Sequence, residues 1–347
     1  MKAVIFAYSR QGCRTARRVK EALAAEDTAA YTVGRFAAEP GFGDFSPIPS
    51  PTPPFYREMF ASADEMVFIG SCGIAVRQIA PHVRDKRTDP AVLCIDELGR
   101  FVIPLLSGHI GGANELALRV ARALGATPVI TTATDINRRF SVDAWAARHG
   151  FVIDDMGLAK EVSAEILERD VPLVCDFPVA GGYPNGVLPS RGGEGRLGIF
   201  ISWRSAAAAP FERTLRLIPR VLHLGIGCRR GTPDAAIKLA VDEVFERNSL
   251  DLRAVKCVAS IDLKSDEAGL LKFCADGGWS PVFYSAEQLR ELPGEFTPSE
   301  FVNGVTGVDN VCERAASVGA ETLIVRKTAT RGVTVAVAAE RLEVRFE

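Results

Sequence analysis

The residues best placed for chemistry lie in three glycine-bearing turns, Gly70-Ser-Cys-Gly-Ile-Ala-Val-Arg77, Ser107-Gly-His-Ile-Gly-Gly-Ala-Asn-Glu115 and Gly225-Ile-Gly-Cys-Arg-Arg-Gly231. Each turn leaves backbone amides free where a helix is expected to start, and unpaired amides at the positive end of a helix dipole attract anions. The plain alternative is that the glycines only make tight strand-to-helix turns. The middle turn adds His109, with Ser107 beside it and Asn114 and Glu115 in the first helical turn. An imidazole set among amide donors can serve as a general base beside an oxyanion site. Capping of the helix by Asn114 is the structural alternative.

Other chemistries find less support. His82, His109, His149 and His223 are not paired at ligand spacing, and the eight cysteines are scattered singly, so a zinc or iron-sulfur site is not expected. His223 lies in an apolar strand and reads as a hydrogen-bonded core residue; His149 at a helix end reads as solvated. Gly225, Gly227 and Gly231 are spaced one residue wider than the dinucleotide fingerprint, and Asp262 comes well beyond the expected ~20 residues. Neither a P-loop nor a GxSxG elbow is present.

With 41 Lys plus Arg against 43 Asp plus Glu, the chain has no global basic field, and nucleic acid is not an expected partner. Basic residues gather locally as Arg77, Arg84, Lys86 and Arg87; Arg138 and Arg139; Arg229 and Arg230; and Arg326, Lys327 and Arg331. Where they flank the glycine turns, they suggest a cleft for a ligand with several carboxylates or phosphates. The N-terminus lacks the long apolar stretch of a signal peptide and no segment approaches the ~18 apolar residues of a membrane span, so no membrane partner and a cytoplasmic location are expected.

The elements that position these turns alternate in type. A strand at Lys2 to Ala7 leads into a helix with Ala16, Val19 and Leu23 on one face; strands follow at 65–70, 92–95, 101–106 and 128–132, with a helix at 74–80 and another after the Ser107 turn that carries Leu116, Val120, Ala123 and Leu124 on one face and stops at Gly125. This alternation predicts a mainly parallel, three-layer α/β/α sheet with the glycine turns at the carboxyl ends of its strands. Five prolines in Ser46 to Pro54 mark a connector or lid. A second such sheet begins at Val221, with Thr232 expected to cap the next helix and Ser285 with Gln288 forming a capping box. It closes with antiparallel strands near 323–327, 333–338 and 342–346. The reading gives an N-terminal α/β domain at 1–142, a small glycine-rich middle region at 143–219 that can pack on the first domain, and a C-terminal α/β domain at 220–347.

These turns, together with Thr131-Thr-Ala-Thr-Asp135, Ser260-Ile-Asp-Leu-Lys-Ser-Asp-Glu267, Thr306-Gly-Val-Asp-Asn310 and Lys327, resemble the CbiG family of cobalamin biosynthesis over nearly the whole chain. The C-terminal third resembles the protein CobE, which occurs alone. The resemblance implies hydrolysis of cobalt-precorrin-5A: opening of a δ-lactone on a ring-contracted macrocycle, with loss of acetaldehyde. It implies a cobalt-bearing tetrapyrrole as partner, with cobalt arriving in the substrate and no separate cofactor, and neighbouring enzymes of the pathway as further partners. Under it, His109 or Glu115 would be the base and the amides of Gly111 and Gly112 the oxyanion donors. An ordinary histidine pKa near 6.5 would let His109 act without a large shift. Ser71, Gly73, Arg77, Ser107, Asn114, Asp135, Gly227, Arg229, Arg230 and Lys327 would bind the macrocycle. A non-catalytic corrinoid carrier and a phosphate- or nucleotide-handling α/β enzyme remain open as alternatives.

Overall fold

The computed structural model describes residues 2–23, 27–85, 88–193, 195–298, 304 and 307–346. Lys86, Arg87 and Thr306, named above, lie outside the described residues. The chain divides into two compact units, residues 1–144 and 145–347.

In the first unit, β1 (Lys2–Ala7), β2 (Asp27–Thr32), β3 (Ser46–Pro47), β4 (Glu65–Ile69), β5 (Ala91–Ile95), β6 (Phe101–Leu106) and β7 (Thr127–Pro128) form one sheet, ordered β3-β2-β1-β4-β5-β6-β7. The helices are α1 (Arg10–Ala22), α2 (Gly34–Ala37), α3 (Thr52–Ser62), α4 (Cys72–Ile79), α5 (Ala113–Leu124), α6 (Ala133–Ile136) and α7 (Val142–Arg148). Side chains of α1 and α5 bury Ile5, Val67 and Leu93 on one face, while α3 and α4 bury Phe6, Phe68 and Val92 on the other. Both faces are therefore covered, and β4 and β5 are buried along their whole length, as continuous apolar runs in a covered sheet must be. The proline-rich stretch supplies β3 and the first turn of α3, where Pro53 and Pro54 lack only amides that a helix start leaves unpaired.

One pairing departs from the expected parallel pattern. β6 runs antiparallel to β5, with Leu106 beside Val92 and Val102 beside Ile95. The connection is only Asp96 to Arg100, and Asp96 Oδ1 accepts the amides of Arg100 and Phe101 at 2.7 Å each. A parallel return needs a dozen or more residues, so this link can only reverse the chain. The Ser107 turn therefore emerges level with the amino ends of β4 and β5, whereas the Gly70 turn leaves the carboxyl end of β4. At ~3.3 Å per residue, the two turns stand about 15 Å apart across the sheet. This corrects the expectation that both open at one end.

The second unit holds two larger sheets. β8 (Val152–Ile153), β9 (Val171–Cys175), β11 (Val187–Pro189), β12 (Leu197–Ile201) and β13 (Arg213–Ile218) are ordered β11-β9-β12-β13-β8, with β8 an antiparallel edge. β14 (Leu222–Cys228), β15 (Val255–Ile261), β16 (Ser280–Tyr284), β17 (Thr322–Thr330) and β18 (Val333–Ala339) are ordered β16-β15-β14-β18-β17. There β14 to β16 are parallel, and β18 runs antiparallel to both β14 and β17. The last strand, β19 (Val344–Arg345), pairs instead in parallel with β10 (Val179–Ala180), outside the expected antiparallel edge. Its described α-helices include α8 (Met156–Glu168), α9 (Asp234–Arg247), α10 (Ala268–Gly277), α11 (Ala286–Glu291) and α12 (Val311–Ser317). The Ser285–Gln288 capping box forms at α11. Thr232, expected to cap α9, instead donates its hydroxyl to Arg229 O at 2.7 Å and closes the preceding turn. Arg216 joins β13 to the Leu250–Asp251 segment through Asp251 at 2.5 Å, which ties the 152–218 sheet to its neighbour within the unit.

Candidate functional site

The turn carrying His109 is fixed by its own backbone. Ser107 adopts a left-handed conformation (φ 57), its hydroxyl donates to Asp89 O at 3.0 Å, and its carbonyl accepts Ala113 N at 3.1 Å. Asn114 N donates to Gly108 O at 3.0 Å and Gly112 N to His109 O at 2.9 Å. A β-carbon on Gly111 would lie 2.4 Å from Ser107 Cβ, and one on Gly108 2.9 Å from Asn114 Oδ1. Both glycines are thus needed for the close approach of chain to chain. The Gly112 amide is committed inside the turn, so it is not the free oxyanion donor expected. The Gly111 amide has no partner among the described residues.

His109 stands between two carboxylates. Its Nε2 is 3.2 Å from Asp135 Oδ2 and 3.1 Å from Thr134 Oγ1, and its Nδ1 is 3.5 Å from Asp143 Oδ1. Asp143, in the first turn of α7, is buried; its Oδ1 also accepts Ser141 Oγ at 3.1 Å and Ala144 N at 2.9 Å. Asn114 is buried too and donates Nδ2 to Asp135 Oδ2 at 2.7 Å and to Thr132 Oγ1 at 2.9 Å. Asn114 therefore orients Asp135 against the imidazole rather than capping α5. Asp143 raises the His109 pKa above its ordinary value; burial opposes the rise and Asp135 adds to it. This corrects the expectation of an unshifted histidine.

The remaining candidates fall in three places. Glu115 is exposed on the first turn of α5. Ser71, Gly73 and Arg77 are exposed at the start of α4, where Arg77 Nη1 donates to Gly73 O at 3.3 Å, at the far end of the sheet from His109. In the second unit, Gly227 pairs with Thr334, which pairs in turn with Ala329, so Gly227, Arg229, Arg230 and Lys327 gather at one end of the second sheet. There Arg230 is ion-paired with Asp266 at 3.0 Å, and Lys327 N donates to Glu313 Oε1 at 2.6 Å. Glu313 is fully buried and also receives Thr297 N and Oγ1. Sequence reading missed Asp143, Thr134 and Glu313. Asp143 had a signal, since it is a carboxylate in the first turn of a helix, where negative charge is favoured. Among the described residues no cluster of His, Cys, Asp and Glu could hold a metal ion, and no helix is long and apolar enough to cross a membrane.

Two family descriptions match the chain: Cobalamin synthesis G N-terminal over residues 54–135 and Cobalamin synthesis G C-terminus over residues 222–338. A cobalt-precorrin-5A hydrolase of Priestia megaterium is 35% identical over 81% of this chain and 79% of its own length. The cobalt-precorrin-5A hydrolase of Salmonella typhimurium is 37% identical over 75% of this chain and 77% of its own. Protein CobE of Sinorhizobium sp is 32% identical over 34% of this chain and 79% of its own length. The first match spans the His109 turn and the second the Gly225 turn, and with two relatives above one-third identity across most of their length, this chain is a member of the CbiG family of cobalamin biosynthesis.

Proposed function

We propose that the chain is a cobalt-precorrin-5A hydrolase that opens a δ-lactone and releases acetaldehyde, with the proton carried by His109. The family membership supports the activity. The observation that supports His109 for the step is its imidazole, held between Asp143 and Asp135 in a backbone-locked turn. In this reading Nδ1, facing the buried Asp143, carries the resting proton, and Nε2, beside Asp135, is the atom that exchanges one. The Asp135 side chain is 39% exposed, which opens the Nε2 side to a ligand.

In the proposed reaction, water adds to the lactone carbonyl carbon while Nε2 takes its proton, and the free Gly111 amide stabilises the oxyanion. The acyl C–O bond then breaks and leaves an alkoxide and a carboxylic acid, whose proton passes to solvent. Collapse of the alkoxide to an aldehyde breaks the adjacent carbon-carbon bond, and the electron pair passes into the conjugated macrocycle. The imidazolium returns its proton to the product. Cobalt enters as part of the substrate and no separate cofactor takes part. Exposed arginines suit the carboxylates such a ligand carries. Incubation of the purified chain with cobalt-precorrin-5A and mass detection of acetaldehyde tests the reading; binding without acetaldehyde release would make the chain a carrier.

A further inference from the structure

A cavity of about 550 Å³ opens at the same end of the first unit's sheet as the His109 turn. Arg57 and Phe60 line it from the end of α3, His82 and Arg84 from the segment after α4, and Asp89 from the approach to β5. We propose that this cavity is the subsite for an anionic arm of the substrate, a carboxylate on a short hydrocarbon chain, while the reacting group lies at His109; the inference rests on the hydrolase reading above.

Three observations carry it. First, neither the Arg57 nor the Arg84 guanidinium has an ion-pair partner among the described residues, although both border one cavity. Two unpaired guanidinium forks facing one space match a carboxylate better than any neutral group. Asp89 also lines the cavity, buried and with its Oδ2 accepting Arg84 N at 2.8 Å; its single negative charge is outnumbered by the two guanidinium groups, so the lining stays net positive. The field of the two arginines is felt by His82, whose pKa is lowered by burial first and then by Arg57 and Arg84.

Second, the wall is half apolar. Phe60 lies against His82 with ring centroids 5.9 Å apart, next to Ala61 and Pro81. Such a wall fits methylene groups behind a charged end. Third, the cavity is wired to the turn: Asp89 O accepts the Ser107 hydroxyl at 3.0 Å, and Ser107 is two residues from His109. An arm seated here would place the ring it hangs from beside the imidazole.

The test separates the pocket from the reaction. Succinate, titrated against the full chain while the His82 imidazole resonances are followed by NMR, is expected to shift them saturably, and Arg57→Ala/Arg84→Ala is expected to abolish the shift. With cobalt-precorrin-5A, the double variant is expected to raise KM about tenfold or more, the cost of losing charge-assisted hydrogen bonds, with lysine at both positions restoring part of it. Both arginines are exposed and unpartnered, so the variants are expected to fold. No saturable succinate shift in the wild type overturns the pocket. A shift with unchanged KM overturns its assignment to the substrate, and tighter binding of inorganic phosphate than of succinate overturns the carboxylate. Failure of the hydrolase reading alone would leave the succinate result standing.

Discussion

His109 Nδ1 stands 3.5 Å from Oδ1 of Asp143, a carboxylate withdrawn from solvent and held in place by Ser141 and the Ala144 amide. The pair sets a pH dependence whose sign follows from the raised histidine pKa. Base action needs neutral imidazole, so the acid limb of kcat/KM is expected to have its midpoint above the ordinary 6.5. Stability follows the same group: its contribution is complete below the unfolded pKa and is lost as pH rises through the higher folded value. Asp143→Asn keeps an oxygen for Ser141 and Ala144 but removes the charge. It is expected to move the acid limb to lower pH and to flatten the slope of the urea midpoint above 6.5. An unmoved limb in the variant would mean that Asp143 does not control the base.

Loss of the imidazole should be felt in turnover rather than in folding. His109→Ala is expected to lower acetaldehyde release by roughly 100-fold or more, the usual cost of removing a general base, while its circular dichroism matches the parent. Glu115 is exposed on α5, and Glu115→Gln is expected to keep turnover within about threefold of the parent. The reverse pattern would transfer the proton to Glu115. If both variants stayed active, the reacting centre would have to be sought in the second unit near Lys327.

An acid-sensitive contact lies in the second unit. Burial works against ionisation of Asp251, but hydrogen bonds from Arg253 and Arg216 prevail and hold its pKa at about 2. A depressed carboxylate stabilises the fold above its unfolded pKa and loses that contribution as pH falls toward the folded one. The window is therefore from 3.8 down to about 2, and the contribution is about 2 kcal/mol. Arg253→Ala is expected to move the loss to higher pH, read as the acid dependence of the urea midpoint of the full chain. An identical acid profile in the variant would remove Arg253 from this role.

Much of the fold could be read from apolar patterning, because strands buried on both faces and helices with one buried face have periods that side chains must obey. Phe101–Leu106 was legible as a strand to the residue. Its direction was not read, although Asp96 to Arg100 is too short a link for a parallel return, and that single reversal separates the Ser71–Arg77 turn from His109. The site was legible in part for a similar reason. His109, Asn114 and Asp135 sit in motifs that local chemistry singles out, and the structure brings them together. Asp143 reaches His109 from 34 positions further along the chain, a contact made by tertiary packing rather than by local pattern.

The glycines of the Gly225 turn show how one residue type can mislead. Each was read as leaving amides open to a ligand, yet a β-carbon on Gly225 would lie 1.9 Å from Cys312 O on α12 and 2.9 Å from Ala316 Cβ. One on Gly227 would lie 2.5 Å from Thr334 Oγ1, the far end of a side chain able to turn away. Gly231, with φ +76, has nothing within 4 Å and is glycine for its backbone alone. Three costs are expected in order. Gly225→Ala must push α12 off β14 and should lose about 3 kcal/mol or more, as overpacking against backbone does. Gly227→Ala should lose less, and Gly231→Ala about 1 kcal/mol of left-handed strain. Urea unfolding of the full chain measures all three. If Gly225→Ala instead kept the parent's stability and lost only substrate binding, the residue would be glycine for the ligand and not for the helix packed over it.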